Sequence, residues 1–206
     1  ADSRGADASA PARRQQAEPA VLLGLALLAL VASGIGPRDR TTWFVEVLPV
    51  LIAAPLLLAT FRRFPLTPLL YRLIFLHALV LILGGHYTYA EVPLGYWVQD
   101  AFDLGRNHYD RLGHFVQGFV PAILAREILL RRSPLRPGRW LFVLVTAVCL
   151  AFSALYELIE MAYALVFGGP SADAFLGAQG DIWDAQWDMT FALIGAVLAQ
   201  AMLAGL

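Results

Sequence analysis

The chain has little of what a water-soluble protein of its length relies on. Charged residues occupy 15% of its 206 positions, whereas a soluble domain carries about a quarter. There is one cysteine, Cys149, in the middle of an apolar block. A disulfide within the chain is therefore excluded, and a thiolate metal site is disfavoured. Lysine is absent, so all fifteen basic residues are arginine. The formal net charge of −1 argues against nucleic acid or another strongly charged partner. No Asn-x-Ser/Thr sequon and no internal repeat occur.

What is there is apolar: 59% of residues are hydrophobic and the mean hydropathy is +0.63. These residues come in blocks, and about 20 helical residues span the roughly 30 Å of a bilayer's hydrocarbon. The blocks run from about Pro19 to Ile35, from Trp43 to Phe61, and from the prolines at 65 and 68 to Gly84-Gly85-His86. Three more run from about His108 to Leu130, from Trp140 to Phe167, and from near Gly180 to the C-terminus. The pattern predicts an all-α fold: a polytopic membrane bundle of about six transmembrane helices over residues 19–206. Residues 1–18 lack apolar periodicity and read as a disordered cytoplasmic tail. The basic flank at Arg13 and Arg14 suits a signal peptide, but Ser33-Gly34-Ile35-Gly36-Pro37 makes a poor cleavage site, so an uncleaved first helix is expected. The polar-aromatic stretch at about 87–107 exceeds an ordinary connection and is amphipathic enough to lie on the outer membrane surface as a lid.

Arginine placement sets the orientation, because short cytoplasmic loops carry the basic excess. Arg62, Arg63 and Arg72 flank one loop, and Arg131, Arg132, Arg136 and Arg139 crowd another. The loop before the last block has none, and only Arg38 and Arg40 dissent. The expected protein is a multi-pass inner-membrane one with both termini cytoplasmic and the 87–107 stretch outside.

On that topology the ionisable residues of four helices converge on the outer end. His86 ends the third helix, and His108, Asp110 and His114 open the fourth. Glu157 and Glu160 lie roughly 26 and 30 Å along the fifth at 1.5 Å per residue, and Asp181, Asp184 and Asp188 open the sixth. Residues three, four and seven apart share a helix face. Asp110 with His114, Glu157 with Glu160, and the three aspartates of the sixth helix therefore each form a stripe. Facing lipid would cost several kcal/mol per charge, so the stripes point inward or to water. Arg106 and Arg111 neutralise at most two of the six carboxylates, leaving a deficit that protons or a cation must fill. Oxygen and imidazole donors without thiolate suit Zn, Fe or Mn, and helix bundles bind such metals through this kind of spacing. Asp110, His114, Glu157, Asp184, Asp188, His86 and Asp181 are the candidate divalent-metal ligands, and His108 or Glu160 the candidate catalytic base. Asp181 and Asp110 also suit a plainer role as helix caps. His77 reads as a hydrogen-bonded core histidine, Glu46 and Gln117 as helix–helix hydrogen-bonding partners. Trp43, Tyr96, Trp97, Trp183 and Trp187 fit an interfacial belt.

The strings His86-Tyr87-Thr88-Tyr89-Ala90-Glu91-Val92-Pro93, Arg106-Asn107-His108-Tyr109-Asp110-Arg111-Leu112-Gly113-His114-Phe115, Glu157-Leu158-Ile159-Glu160 and Gly180-Asp181-Ile182-Trp183-Asp184-Ala185-Gln186-Trp187-Asp188-Met189 resemble the bacterial YjdF-like inner-membrane family over about residues 20 to 205. The resemblance implies a polytopic inner-membrane protein and brings no reaction with it. A looser likeness is to VanZ-like envelope proteins, from which Asp188 departs, since that pattern tends to carry Asn there.

Three functions compete at this point. The first is a metal-dependent enzyme on a lipid or envelope substrate, the second an ion- or proton-coupled transporter, and the third a non-catalytic assembly protein. Membrane lipids are the expected partners, and the oligomeric state is open. A polar pocket that ends blind favours the enzyme, and a polar route through the bundle favours transport.

Overall fold

The computed structural model describes the backbone of residues 10–203 and, except at 10–16, 170, 171, 173 and 174, their side chains. In chain order the helices are α1 (Ala10–Ser33), α2 (Arg40–Thr60), α3 (Pro68–Tyr87), a 3-10 turn (Tyr89–Glu91), α4 (Pro93–Phe102), α5 (Tyr109–Arg132), α6 (Arg139–Phe167), α7 (Gly169–Leu176) and α8 (Asp184–Leu203). No strand occurs among the described residues. The protein is a polytopic helical membrane bundle, with six helices of 20 residues or more among the described residues. Of the expected tail at 1–18, residues 1–9 lie outside the described residues, and 10–18 continue α1.

Hydrophobicity accounts for these elements. Helices α2, α3 and α6 are each long and apolar enough to cross a membrane, and α1 has a shorter apolar run, Ala17–Ser33. Their outward faces are large and greasy: Phe44, Ile52 and Leu56 on α2, and Phe152, Leu155 and Leu158 on α6, are all exposed. Lipid is the solvent those side chains suit. Helices α5 and α8 each bury two ionisable residues, Asp110 and His114 on one and Asp184 and Asp188 on the other, against one each on α2 and α6, Glu46 and Glu160, so they belong at the centre.

There they pack closely against each other. A Cβ added at Gly118 would stand 1.8 Å from the Ala192 carbonyl oxygen, and one at Gly195 would stand 2.1 Å from that of Phe115. Only glycine admits so close a backbone approach, the small-residue device of membrane helix pairs. Helix α6 packs on both and α3 on α5. The half of this assembly remote from the starts of α5 and α8 is filled by Leu66, Leu70, Val120, Ala122, Ile123, Leu141, Val145, Cys149, Ala196 and Ala199. A second apolar cluster, Leu30, Val47, Val50, Ala78 and Ile82, joins α1, α2 and α3.

Polar clasps close the remote end. Glu127 of α5 accepts hydrogen bonds from the Thr67 hydroxyl at 3.0 Å and from Arg131 at 2.5 Å. Arg131 also lies 3.7 Å over the Phe64 ring. The 87–107 stretch folds at the opposite end as the 3-10 turn and α4, with Tyr96, Trp97 and Phe102 exposed. Helix α7 follows α6 across Gly168 and opens at Gly169, both at positive φ, and buries Ala172 and Phe175.

Candidate functional site

The site is built where α5 and α8 begin. Asn107 shapes the entry to α5: its Oδ1 accepts from the Tyr109 N–H at 3.0 Å and its Nδ2 donates to the Val92 carbonyl at 3.0 Å. Gln179 brings the segment before α8 alongside, accepting from the Asn107 N–H at 3.1 Å and donating to its carbonyl at 2.8 Å. Arg106 completes the splice. Its Nη1 donates to Asp184 Oδ1 at 2.6 Å and to the Ala178 carbonyl at 3.0 Å, while Nη2 donates to the Gly177 carbonyl at 2.9 Å. Arg111 Nη2 donates to Asp181 Oδ2 at 2.7 Å. Asp181 also accepts from the Trp183 N–H at 2.9 Å. That bond and the Arg111 charge hold its carboxyl below the ordinary range. Asp181 is thus the capping residue of the last helical segment and sits at the rim.

Both arginines are thereby committed, and the carboxylates deeper in the site have none. His114 Nε2 lies 3.6 Å from Asp110 Oδ1 and 3.5 Å from Glu157 Oε1, ion-pair distances too long for good hydrogen bonds. One donor atom each from Asp110, His114 and Asp188 lie within 4.8 Å of one another, and all three residues are buried. Asp188 Oδ1, Glu157 Oε1 and His114 Nδ1 are buried without any hydrogen-bond partner. Donors on one ion at about 2.0–2.2 Å stand at most about 4.4 Å apart, so the three residues could hold a metal after a slight contraction. Gln117, one turn further along α5, neighbours His114.

Around this centre runs a second tier, of which the sequence names Glu160 but not Glu46, Tyr89 or Tyr156 as part of the site. Buried Glu160 interacts electrostatically with Asp110, Glu157 and Glu46, the last of these on α2. Glu46 therefore stands near the acids of α5 and α6. Tyr89 and Tyr156 stand among the same groups. The Tyr89 ring occupies a slot cut by two glycines: a Cβ at Gly84 of α3 would lie 2.3 Å from it and one at Gly113 of α5 2.6 Å. Burial, with Glu46 beside it, pushes the Tyr89 phenol well above its usual value. A lone acid in an apolar block, as Glu46 is, was the available signal.

Two candidates fall elsewhere. His86 places Nδ1 2.8 Å from the Ser33 carbonyl and accepts the Arg38 N–H on its own carbonyl at 2.9 Å, so it braces the α1–α2 turn. His108 caps α5 and faces a groove with Arg111, Leu112, Phe115 and Phe191. Burial and the neighbouring Arg111 and Arg106 lower its pKa. His77, expected to be hydrogen-bonded, has its Nε2 buried without a partner. It lines a cavity of about 450 Å³ whose walls are almost all apolar, including Leu23, Ala54, Phe75 and Leu124, and these provide no acceptor.

Comparison with known proteins places the chain. The family described as "Predicted membrane protein (DUF2238)" matches residues 18–206. The inner membrane protein YjdF of Escherichia coli (strain K12) is 56% identical over 177 residues, which cover 86% of this chain and 84% of that protein. No solved structure matches. An integral inner-membrane protein by both likenesses, the chain belongs to the DUF2238 family.

Proposed function

We propose that Asp110, His114 and Asp188, with Glu157 closing the shell from α6, form a divalent-metal centre, and that the protein uses it for chemistry on a lipid or envelope substrate. The observation that carries the reading is the convergence of three buried donors within 4.8 Å beside polar atoms that find no partner. Buried like charges without a counterion are strongly disfavoured, and the two nearby arginines already serve Asp181 and Asp184. A divalent cation answers that deficit, and the donor set suits Zn, Fe or Mn. Such an ion lowers the pKa of a bound water and polarises a phosphoryl or carbonyl oxygen. Glu160, buried behind Glu157, is the base in this reading.

Transport is the weaker reading. Beneath the centre the α5–α8 backbones touch at Gly118 and Gly195, and beyond that contact lies an apolar core. The deeper polar groups are isolated: Ser153 Oγ has no partner, and Gln200 donates to Thr146 at 2.9 Å. A polar cluster that ends on an apolar core suits an enzyme better than a transport route. Arginines 62, 63, 72, 131, 132, 136 and 139 lie at the end away from the centre, so the positive-inside rule turns the site outward and both termini to the cytoplasm.

The test is metal content of the detergent-purified protein by elemental mass spectrometry, beside Asp188→Asn and His114→Ala. About one Zn, Fe or Mn per chain, lost in variants that keep the parent's gel-filtration profile, supports the reading. Metal-free parent protein after reloading with each of the three ions sinks it.

A further inference from the structure

The groove beside the candidate centre has a volume of about 370 Å³ and is lined by His108, Arg111, Leu112, Phe115 and Phe191. On α5 these residues recur at i, i+3, i+4 and i+7 and so share one face, which differs from the Asp110–His114 stripe. The groove therefore runs along the other flank of the same helix, against α8. Its character changes with depth. His108 and Arg111 stand in the first turn; Phe115 is seven residues, or roughly 10 Å, further along, and Phe191 of α8 faces the same space.

At the polar end, two residues that line the groove each keep a nitrogen without a partner. Arg111 Nε and His108 Nδ1 are buried and unpartnered. The Arg111 guanidinium is held in place on two sides, by Asp181 at 2.7 Å and by the Trp187 ring, whose centroid lies 5.7 Å away. That leaves Nε free in a fixed direction. Among the described residues no carboxylate lines the groove itself, the nearest to Arg111 being its partner Asp181. A phosphate fits this end because its oxygens accept from several donors at once, and guanidinium geometry matches them. The apolar end fits hydrocarbon, and Leu112, 42% exposed, marks where the groove meets the surrounding lipid. A free phosphate would leave Phe115 and Phe191 facing nothing of their own kind.

We propose that this groove binds the phosphate headgroup and first acyl carbons of a membrane phospholipid. As a lipid site it stands on its own. As the seat of a substrate for the neighbouring centre, it rests on the metal reading above.

The experiment uses the full chain in neutral detergent, incubated with dioleoylphosphatidylglycerol or with dioleoylglycerol, which lacks the phosphate. Retained lipid per chain is quantified by mass spectrometry after gel filtration. Retention of the phosphatidylglycerol should exceed that of dioleoylglycerol by about tenfold, the scale of one charged hydrogen bond. Arg111→Gln should remove most of that preference. Because Arg111 also holds Asp181, two further variants avoid that pair: His108→Ala at the head and Leu112→Trp, which crowds the mouth. Each should lower phosphatidylglycerol retention severalfold while metal content stays at the parent level. Asp188→Asn should do the reverse, losing metal and keeping lipid, so the two readings fail separately. Equal retention of the two lipids overturns the proposal, as does retention unchanged in both His108→Ala and Leu112→Trp. Displacement of phosphatidylglycerol by excess inorganic phosphate also overturns it, in favour of a free-anion site.

Discussion

The two ends of the bundle treat their acids differently. At the end remote from the site, Glu127 meets Arg131 and Thr67, and Glu18 meets Arg72 at 2.5 Å. At the other end Arg106 and Arg111 take Asp184 and Asp181. Among the described residues, Asp110, Glu157 and Asp188 have no arginine within ion-pair distance. Burial alone does not separate the two cases, because Asp184 is paired yet as buried as Asp110, both at 7%; the supply of arginine does. A paired acid near water contributes little and costs little. An unpaired buried acid opposes folding, and a fold that keeps several of them together does so for a use outside its own stability.

Substitutions can break this contrast. The largest effect should come from Gly118→Leu, whose side chain would enter the Ala192 backbone. Overpacking of this kind costs about 3 kcal/mol or more, and the expected outcome is loss of monodisperse protein in gel filtration. Leu141→Ala, in the fully buried apolar half, should cost about 2–5 kcal/mol in a thermal or denaturant melt and leave metal content unchanged. A drop in metal content with it would mean the two halves are not separable.

Asp188→Asn should act oppositely. In metal-free buffer it should melt no lower than the parent, because it removes an unpaired buried acid. With metal at a hundredfold excess over Kd the parent alone should gain about 2.7 kcal/mol. A variant that gains equally would remove Asp188 from the ligand set.

The smallest effect should be at the rim. The folded Asp181 carboxyl lies below its ordinary value of 3.8 because it accepts from the Trp183 N–H and faces Arg111. A depressed carboxyl contributes stability that is full above the ordinary value and is lost as pH falls through the folded one. Asp181→Asn should therefore flatten the stability–pH curve below about pH 4 and lower it by a small, pH-independent amount near neutrality. A changed slope near pH 7 would show that Asp181 does more than cap.

Much of this was legible in the sequence. The block from Trp140 to Phe167 is α6, Arg139–Phe167, because the apolar run and its flanking glycines are local signals. The i, i+4 pairs Asp110–His114 and Asp184–Asp188 declared their shared faces. The shortage of arginine was also countable, and Arg106 and Arg111 do neutralise two acids. What escaped depends on how helices turn toward one another. His108 lies two residues before Asp110, about 200° around the helix, and so faces the groove; His86 follows α3 to the α1–α2 turn. Glu46 reaches the acids only because α2 packs on α3, which no spacing within α2 records. Helix α7, eight residues long, is too short to carry a period.

The proposed ligands are made at different times. Asp110 and His114 come from α5, Glu157 from α6 and Asp188 from α8, and the Arg106 bonds to the segment 177–184 join the start of α5 to the start of α8. Helices enter the bilayer in the order in which they are made. A ribosome that has delivered α5 and α6 has placed Asp110, His114 and Glu157 in the membrane without Asp188. If these residues hold a metal, its capture would be a late step, open only once α8 has joined them.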